Sequence, residues 1–359
     1  VGDSIQTVGN PKGRVGWVAA VPQLFQLLRG LAEADSSLPQ ALRAHVAFVE
    51  GRLNQPDSAE RDIWFRRFSD GELVGSGWTE IGAVKIGDVI TRVTPTSNGW
   101  TRSGEKFYST GTLFADGIEV YARRNDNQGD VIALVNTHQP GVTRADDWDG
   151  FGQRLTGSGT TRFDNAHVEQ QHVFDFATRF RYQTAFYQHV LLATLAGIGR
   201  AVARDGAQTV AARNRIYSHS NGAASREDVQ VLQVVGEITS LAFAVEATVI
   251  RAAHSLQSAY EAHLSGDEER LVEVNALAEA EAGQAQVIAS ELVPRAATEL
   301  FNALGASDTR ISKTLDRHWR NARTVASHNP VIYKARDIGG WKVNGTPPTS
   351  IWQIGKGTA

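Results

Sequence analysis

The chain has 359 residues, 42% hydrophobic and 21% charged, which is enough apolar material for a sizeable core and too much for a disordered chain. Its 36 basic and 39 acidic residues are interspersed and leave a formal charge of -3, so no basic stripe suited to nucleic acid or an anionic membrane surface is present. Cysteine is absent, which excludes disulfides, thiolate metal sites and a cysteine nucleophile, and methionine, an ordinary filler of cores, is absent as well.

From about residue 21 the pattern is helical. PQLFQLLRGLAEA repeats apolar residues at helical spacing, Asp35-Ser36-Ser37 punctuates, and LPQALRAHVAFVEGRL resumes. After residue 72 short alternating or β-branched stretches such as GIEVYARR and DVIALVNT, separated by Gly, Asn and Asp, predict strands. From residue 179 long Ala/Leu/Val-rich stretches return, including HVLLATLAGIGRAVARDGAQTVAAR and EDVQVLQVVGEITSLAFAVEATVIRAAHSLQSAYEAHL, and helices of that length packed side by side make a bundle. The stretch 339–359 is rich in Gly, Pro, Thr and Trp and predicts an extended arm. The organisation is therefore an N-terminal helical domain (1–72), a central β domain (73–178), a C-terminal four-helix bundle (179–338) and an extended tail (339–359). This is an α+β arrangement without the βαβ alternation of a doubly wound sheet. No apolar run approaches the length that spans a bilayer, and no secretory leader is visible, so the expected compartment is the cytoplasm.

The common catalytic motifs are missing. GIGRAV and GFGQRL both lack the third glycine of a dinucleotide fingerprint, and there is no phosphate-binding G-x-x-x-x-G-K-[ST] loop, no H-E-x-x-H and no G-x-S-x-G elbow. His167 and His172 are five apart, the wrong spacing for a metal pair on one helical face, so no metal is expected.

Several stretches carry a resemblance. SDGELVGSGWTE (69–80), GEKFYSTG (104–111), RLTGSGTTRFDNAHVEQQHVF (154–174), ARNRIYSH (212–219) and HWRNARTVASHNP (318–330), in the order helices, β domain, bundle, resemble the acyl-CoA dehydrogenases. DDWDGFGQR, STGTLFAD and SHNPVIYKAR resemble a narrower group within them, the reduced-flavin monooxygenases that oxidise dibenzothiophene and alkyl sulfones. The resemblance implies an acyl-CoA dehydrogenase-like fold, a homotetramer with bundle-to-bundle contacts, and oxygen transfer through a flavin C4a-hydroperoxide to a small thiophene, sulfide or sulfone. It also implies reduced FMN delivered by a separate NAD(P)H-dependent flavin reductase, with FAD as the alternative cofactor.

Site residues follow from the same resemblance. Ser109 faces flavin N5; Trp78, Thr79, Ser158 and Asn329 contact the ring; Arg215, with Arg213 second, meets phosphate. Trp148 stacks on the ring or excludes water from it. Where the common dehydrogenases carry a catalytic Glu, this chain has Ser327-His328-Asn329-Pro330. His328 is then the expected proton-transfer residue, because an imidazole exchanges protons near neutral pH without large tuning. His45 is expected to line the same pocket, with a core position as its competing reading. Acyl-CoA oxidation with a base relocated to Glu237 or Glu246, nitrogen hydroxylation, and a helical scaffold that has lost its flavin are the alternatives.

Overall fold

A computed structural model describes residues 20–80, 89–126 and 128–348. The readings made above on residues 1–19 and beyond 348 lie outside the described residues.

Helix α1 (Val21–Ala34) buries Leu24, Phe25, Leu28 and Ala32, a stripe at three- and four-residue spacing that faces the bundle. Helices α2 (Ser37–Ala41), α3 (Arg43–Leu53) and α4 (Ala59–Ser69) follow. Ser58 caps α4 by accepting from Arg61 N at 3.1 Å, and Glu60 and Asp62 at its start with Arg66 and Arg67 at its end complement the helix dipole.

Eight strands follow: β1 (Val74–Gly77), β2 (Arg92–Thr96), β3 (Gly99–Lys106), β4 (Gly117–Arg124), β5 (Asp130–Asn136), β6 (Val142–Arg144), β7 (Thr161–Val168) and β8 (Val173–Asp175). They form one sheet in the order β6-β7-β3-β2-β4-β5-β8. β1 and β2 lie one after the other along the same edge of β4, both parallel to it, and the remaining pairs are antiparallel. This register gathers Val93, Ile118, Val120, Ala133 and Phe163 into one apolar core.

The bundle has three long helices, α5 (Gln183–Ala212), α6 (Val229–Ser265) and α7 (Glu268–Glu299), and a short fourth one, α8 (Arg317–Ala326). Gly266, at φ 71°, ends α6, and Asp267 immediately caps α7 by accepting from Arg270 N at 2.9 Å, so the two helices fold back without a loop. α5 lies between α1, α6 and α7 and is buried along most of its first two-thirds. α8 lies along α5 and α7, and α9 (Ile332–Asn344) rests on α7.

Two expectations are corrected. The extended arm does not begin at Gly339, because α9 continues through Gly339-Gly340 to Asn344 and stops at Gly345, at φ 71°. Two glycines weaken a helix by only about 1 kcal/mol each, and the side chains of Lys334 and Ile338 seat on α7 at Gly283. The reading that no segment has the length and apolarity to span a bilayer is also overturned, since α6 has both. α6 packs against α5 and α7, and its Glu246 pairs with Arg29 and, at 3.0 Å, with Arg200.

Candidate functional site

The three parts of the chain meet at one junction. Ser36 Oγ accepts from Gln153 Nε2 and from Asn321 Nδ2, each at 3.0 Å, and Gln153 N donates to Asn321 Oδ1 at 2.8 Å. The N-terminal helices, a β-domain loop and α8 are thereby tied together. At one end of α8, Asp205 of α5 accepts from His318 Nε2 at 2.9 Å and Arg317 Nη2 at 2.6 Å. Burial opposes ionisation of Asp205, but the His318 and Arg204 contacts prevail and hold it below the usual carboxylate range. At the other end, Asn329 Nδ2 donates to Gln188 Oε1 at 2.6 Å and Gln286 Nε2 donates to the Asn329 carbonyl at 2.9 Å. The loop that follows α8 is thus held from both sides.

His328 projects from that loop into a recess beside α3 and α5, open to solvent yet crowded by protein around it. Its Nε2 lies 3.1 Å from Arg43 Nη1 and its Nδ1 3.2 Å from Asn329 Oδ1. A guanidinium only donates, so Nε2 carries the lone pair and Nδ1–H donates to Asn329. Crowding, and then the Arg43 charge, push the His328 pKa well down, which makes the imidazole neutral at physiological pH. Arg43 Nε donates to the Tyr187 carbonyl at 3.0 Å, and the guanidinium lies 4.9 Å from the centre of the Tyr187 ring. Burial brings its pKa down to about 10, with Tyr187 and Glu119 opposing, so it remains a cation. Tyr187 OH in turn donates to Glu119, a fully buried carboxylate that also accepts from Trp78 Nε1 at 3.1 Å and Arg179 Nη1 at 3.3 Å.

The β domain presents a wall of hydroxyls and aromatic rings. Ser109 is buried; its amide donates to Gly159 O at 2.9 Å, while its hydroxyl makes only a 3.4 Å contact to Lys106 O and can be redirected. Thr110 and Ser158 hydroxyls are 2.7 Å apart, and Ser158 and Thr156 hydroxyls 2.8 Å. Trp148 Nε1 donates to Gly152 O at 3.1 Å, and its ring meets Tyr108 edge-on at 5.8 Å. Thr79 forms a bridge with Phe107, and Trp78 stacks on Tyr121 at 5.7 Å. Two glycines make these approaches possible. At Gly111, φ 79°, a Cβ would stand 2.1 Å from Ala41 O, and at Gly150 it would stand 2.0 Å from the Trp148 ring. Tyr108 and Gln153, both at φ 53°, hold left-handed conformations that are uncommon outside glycine and that recur where a site constrains the backbone. A wall with donors, acceptors and flat apolar faces fits a planar ring with a polar edge such as flavin.

Three expectations of the sequence meet a different geometry. Arg213 and Arg215 line a cavity of about 980 Å³ at the C-terminal end of α5, with Arg310, Lys313 and Arg317. Arg43 and His328 stand at the N-terminal end of that helix, on the order of 40 Å away at 1.5 Å per residue. One chain therefore does not bring these arginines together with Ser109 and His328. His45 is in the core, 1% exposed, with Nδ1 accepting from Val74 N at 3.4 Å and Nε2 without a partner. Burial pushes its pKa down to about 4, so it is neutral. Glu237 is an exposed helix position bonded to Gln233, and Glu246 is the ion-paired residue described above. The residue that the sequence reading passed over is Arg43, two positions before His45 and on the opposite face of the same helix.

Residues 189–332 match the family described as acyl-CoA dehydrogenase, C-terminal domain. Dibenzothiophene monooxygenase of Rhodococcus erythropolis is 27% identical over 94% of this chain and 84% of its own length. The probable FMNH2-dependent monooxygenase SfnC of Pseudomonas putida is 29% identical over 94% of this chain and 85% of its own. The FMN-bound crystal structure of TdsC from Paenibacillus sp. A11-2 superposes with a TM-score of 0.85 at 25% identity, covering 97% of this chain and 90% of that one.

Proposed function

We propose that this chain, which has the acyl-CoA dehydrogenase fold, is a two-component monooxygenase that uses reduced FMN from a separate flavin reductase to place one oxygen atom on a small organosulfur compound. The observation that carries the reading is the chemistry of the recess. It holds a neutral imidazole beside a guanidinium, and its nearest charged partner, Glu119, is fully buried and fully engaged. Among the described residues no free carboxylate stands beside this imidazole to act as the dehydrogenase-type base, and the pair suits movement of a proton to and from oxygen.

The FMN, when bound, supplies two electrons and activates O2. The chain supplies the rest. Ser109, Thr110 and Ser158 offer hydroxyls to the ring edge, with Thr79 and Trp78 beside the same strand end; Tyr108 and Trp148 give flat faces that exclude water. His328 keeps a proton at Nδ1 against Asn329 and a lone pair at Nε2. Arg213 and Arg215 reach an FMN phosphate only from a second copy, so the working form is an oligomer, a homotetramer in our reading. The exposed Leu232 and Phe243 on α6 are apolar surface for such contacts. The cytoplasm, where reductase and NADH are at hand, is the compartment this reading favours.

Aerobic turnover with a flavin reductase, NADH and FMN over thiophenes, sulfides, sulfones and amines, with products read by mass, tests the function. One oxygen atom added to a sulfur compound is expected, and leaving out the reductase should abolish it. Rapid NADH oxidation by the purified chain alone would count against the reading. The shared site has its own test. Ser109→Ala should release hydrogen peroxide in place of product, and Arg215→Ala should weaken reduced-FMN binding. Unfolded and reassembled together, the two variants should regain about a quarter of intact sites by random pairing of copies. No regain in the mixture means that each site is built from a single chain.

A further inference from the structure

Arg43 is a cation without an anion. Its hydrogen bonds go to two uncharged acceptors, the Tyr187 carbonyl and His328 Nε2, and no carboxylate among the described residues is within ion-pair distance of it. The carboxylate that it senses, Glu119, spends both oxygens on Trp78, Tyr187 and Arg179. Arg52, a second buried guanidinium, lies 4.1 Å from the centre of the Phe174 ring and draws on the same Glu119 and on Glu60. Among the groups that sense one another here, three guanidiniums, Arg43, Arg52 and Arg179, draw on two carboxylates, Glu119 and Glu60. Among the described residues the rest of the Arg43 fork, Nη2 included, has no hydrogen-bond partner, and Arg43 is only half-buried beside His328. A partly desolvated guanidinium with a free edge is matched by a group that offers two oxygens and a negative charge.

We propose that Arg43 is a specificity-determining residue that binds the anionic head group of the substrate, and that the substrate is an organic sulfinate rather than a neutral thiophene or sulfone. The inference rests on the monooxygenase reading above and narrows its substrate. Arg43 stands 3.1 Å from His328, the proton-transfer residue of that reading, so the group it clamps is the reacting group or is bonded to it. In a sulfinate the two are one. Its two oxygens carry the charge that pairs with the fork, and its sulfur keeps the lone pair that accepts oxygen. The balance is RSO2⁻ + O2 + FMNH2 → RSO3⁻ + FMN + H2O. A sulfur–oxygen bond forms from the sulfur lone pair, the O–O bond breaks, and the second oxygen leaves as water with two protons. The sulfur is oxidised by two electrons, and the O2 is reduced by four, two from sulfur and two from the flavin.

The test uses the whole chain and benzenesulfinate as the probe. Calorimetric titration of benzenesulfinate onto the flavin-free protein should show binding that Arg43→Gln weakens roughly 10- to 100-fold, as the loss of charged hydrogen bonds implies. Arg43→Lys, which keeps the charge but not the fork, should fall between the two. Thermal unfolding and reduced-FMN binding should stay at parent values in both variants. No sulfinate binding by the parent, equal binding by Arg43→Gln, or loss of reduced-FMN binding in place of sulfinate binding each overturns the proposal. Turnover separates the two readings. A parent that oxidises dibenzothiophene or dimethyl sulfone but not the sulfinate overturns the substrate class alone, whereas a parent that binds the sulfinate and oxidises nothing overturns the monooxygenase reading.

Discussion

Replacing His328 with alanine should lower product formation by about two orders of magnitude, the scale on which a positioned proton-transfer group acts, and leave folding and reduced-FMN binding nearly intact. The loop bearing it is held by Asn329, through Gln188 and Gln286, and not by the imidazole, so the substitution leaves the loop in place. What is lost is the group that keeps a proton at Nδ1 and a lone pair at Nε2. His328→Gln separates this role from simple support of Arg43. Its amide oxygen can still accept from the guanidinium but cannot pass a proton on, so it should be as slow as the alanine variant. Single-turnover kinetics with reduced FMN, oxygen and a confirmed substrate decide the matter. Oxygen transfer at the parent rate in either variant would make His328 a loop residue and nothing more.

The largest expected effect on stability lies elsewhere, at Glu279. This carboxyl is 3% exposed in α7 and accepts from Ala185 N at 2.9 Å. Burial, only partly offset by Lys334 and that amide, pushes its pKa from the ordinary 4.5 up to about 8. The folded protein keeps this proton over a range in which the unfolded chain has released it. The resulting stability is complete below about pH 4.5, declines as pH rises, and is gone above about pH 8. Glu279→Gln keeps the acceptor for Ala185 N and removes the ionisation. Relative to the parent, the variant should therefore gain stability from pH 5 to pH 8.5, by on the order of a few kcal/mol at the upper end. Glu50, whose pKa burial raises to about 7, slopes the same way in both proteins and cancels in the difference. Urea unfolding across that range supplies the comparison, and a difference that does not change with pH would show that Glu279 is ionised in the fold.

The layout of helices, sheet and bundle is readable in the chain because each part has its own hydrophobic period. α1 buries residues at three- and four-residue spacing, and β7 alternates buried with exposed at Thr161 and Phe163 and, after an interruption at Asn165, at Ala166 and Val168. α9 escapes that logic, since Gly339-Gly340 reads as a break unless the surface of α7 at Gly283 is known. The bilayer-length character of α6 escapes it as well, because scattered charges at Glu237, Glu246 and Arg251 mask the apolar run between them. The candidate site is legible where residue type alone narrows the chemistry, as for an imidazole in the loop after α8. It is not legible on α3, where His45 draws attention by its type while Arg43 reads as one more helix arginine. Successive residues on a helix turn by about 100°, so two positions apart point to opposite sides, and only packing tells which side is the recess. One signal was available. No acidic residue stands three or four positions from Arg43, so nothing on its own helix could neutralise it. Arg213 and Arg215 show the opposite limit, because a site shared between copies, as proposed here, cannot be read from distances in one.

The meeting of Ser36, Gln153 and Asn321 has a bearing on how the chain opens. Segments distant in sequence share one hydroxyl there, and α8 cannot leave without breaking bonds to the other two parts. The amides of α8 and of the loop behind it then belong to the cooperative unit that exchanges with deuterium only when much of the molecule unfolds, and not to the fraying class typical of surface loops. A chain whose three parts have not all docked should therefore lack the held loop that sets His328 beside Arg43.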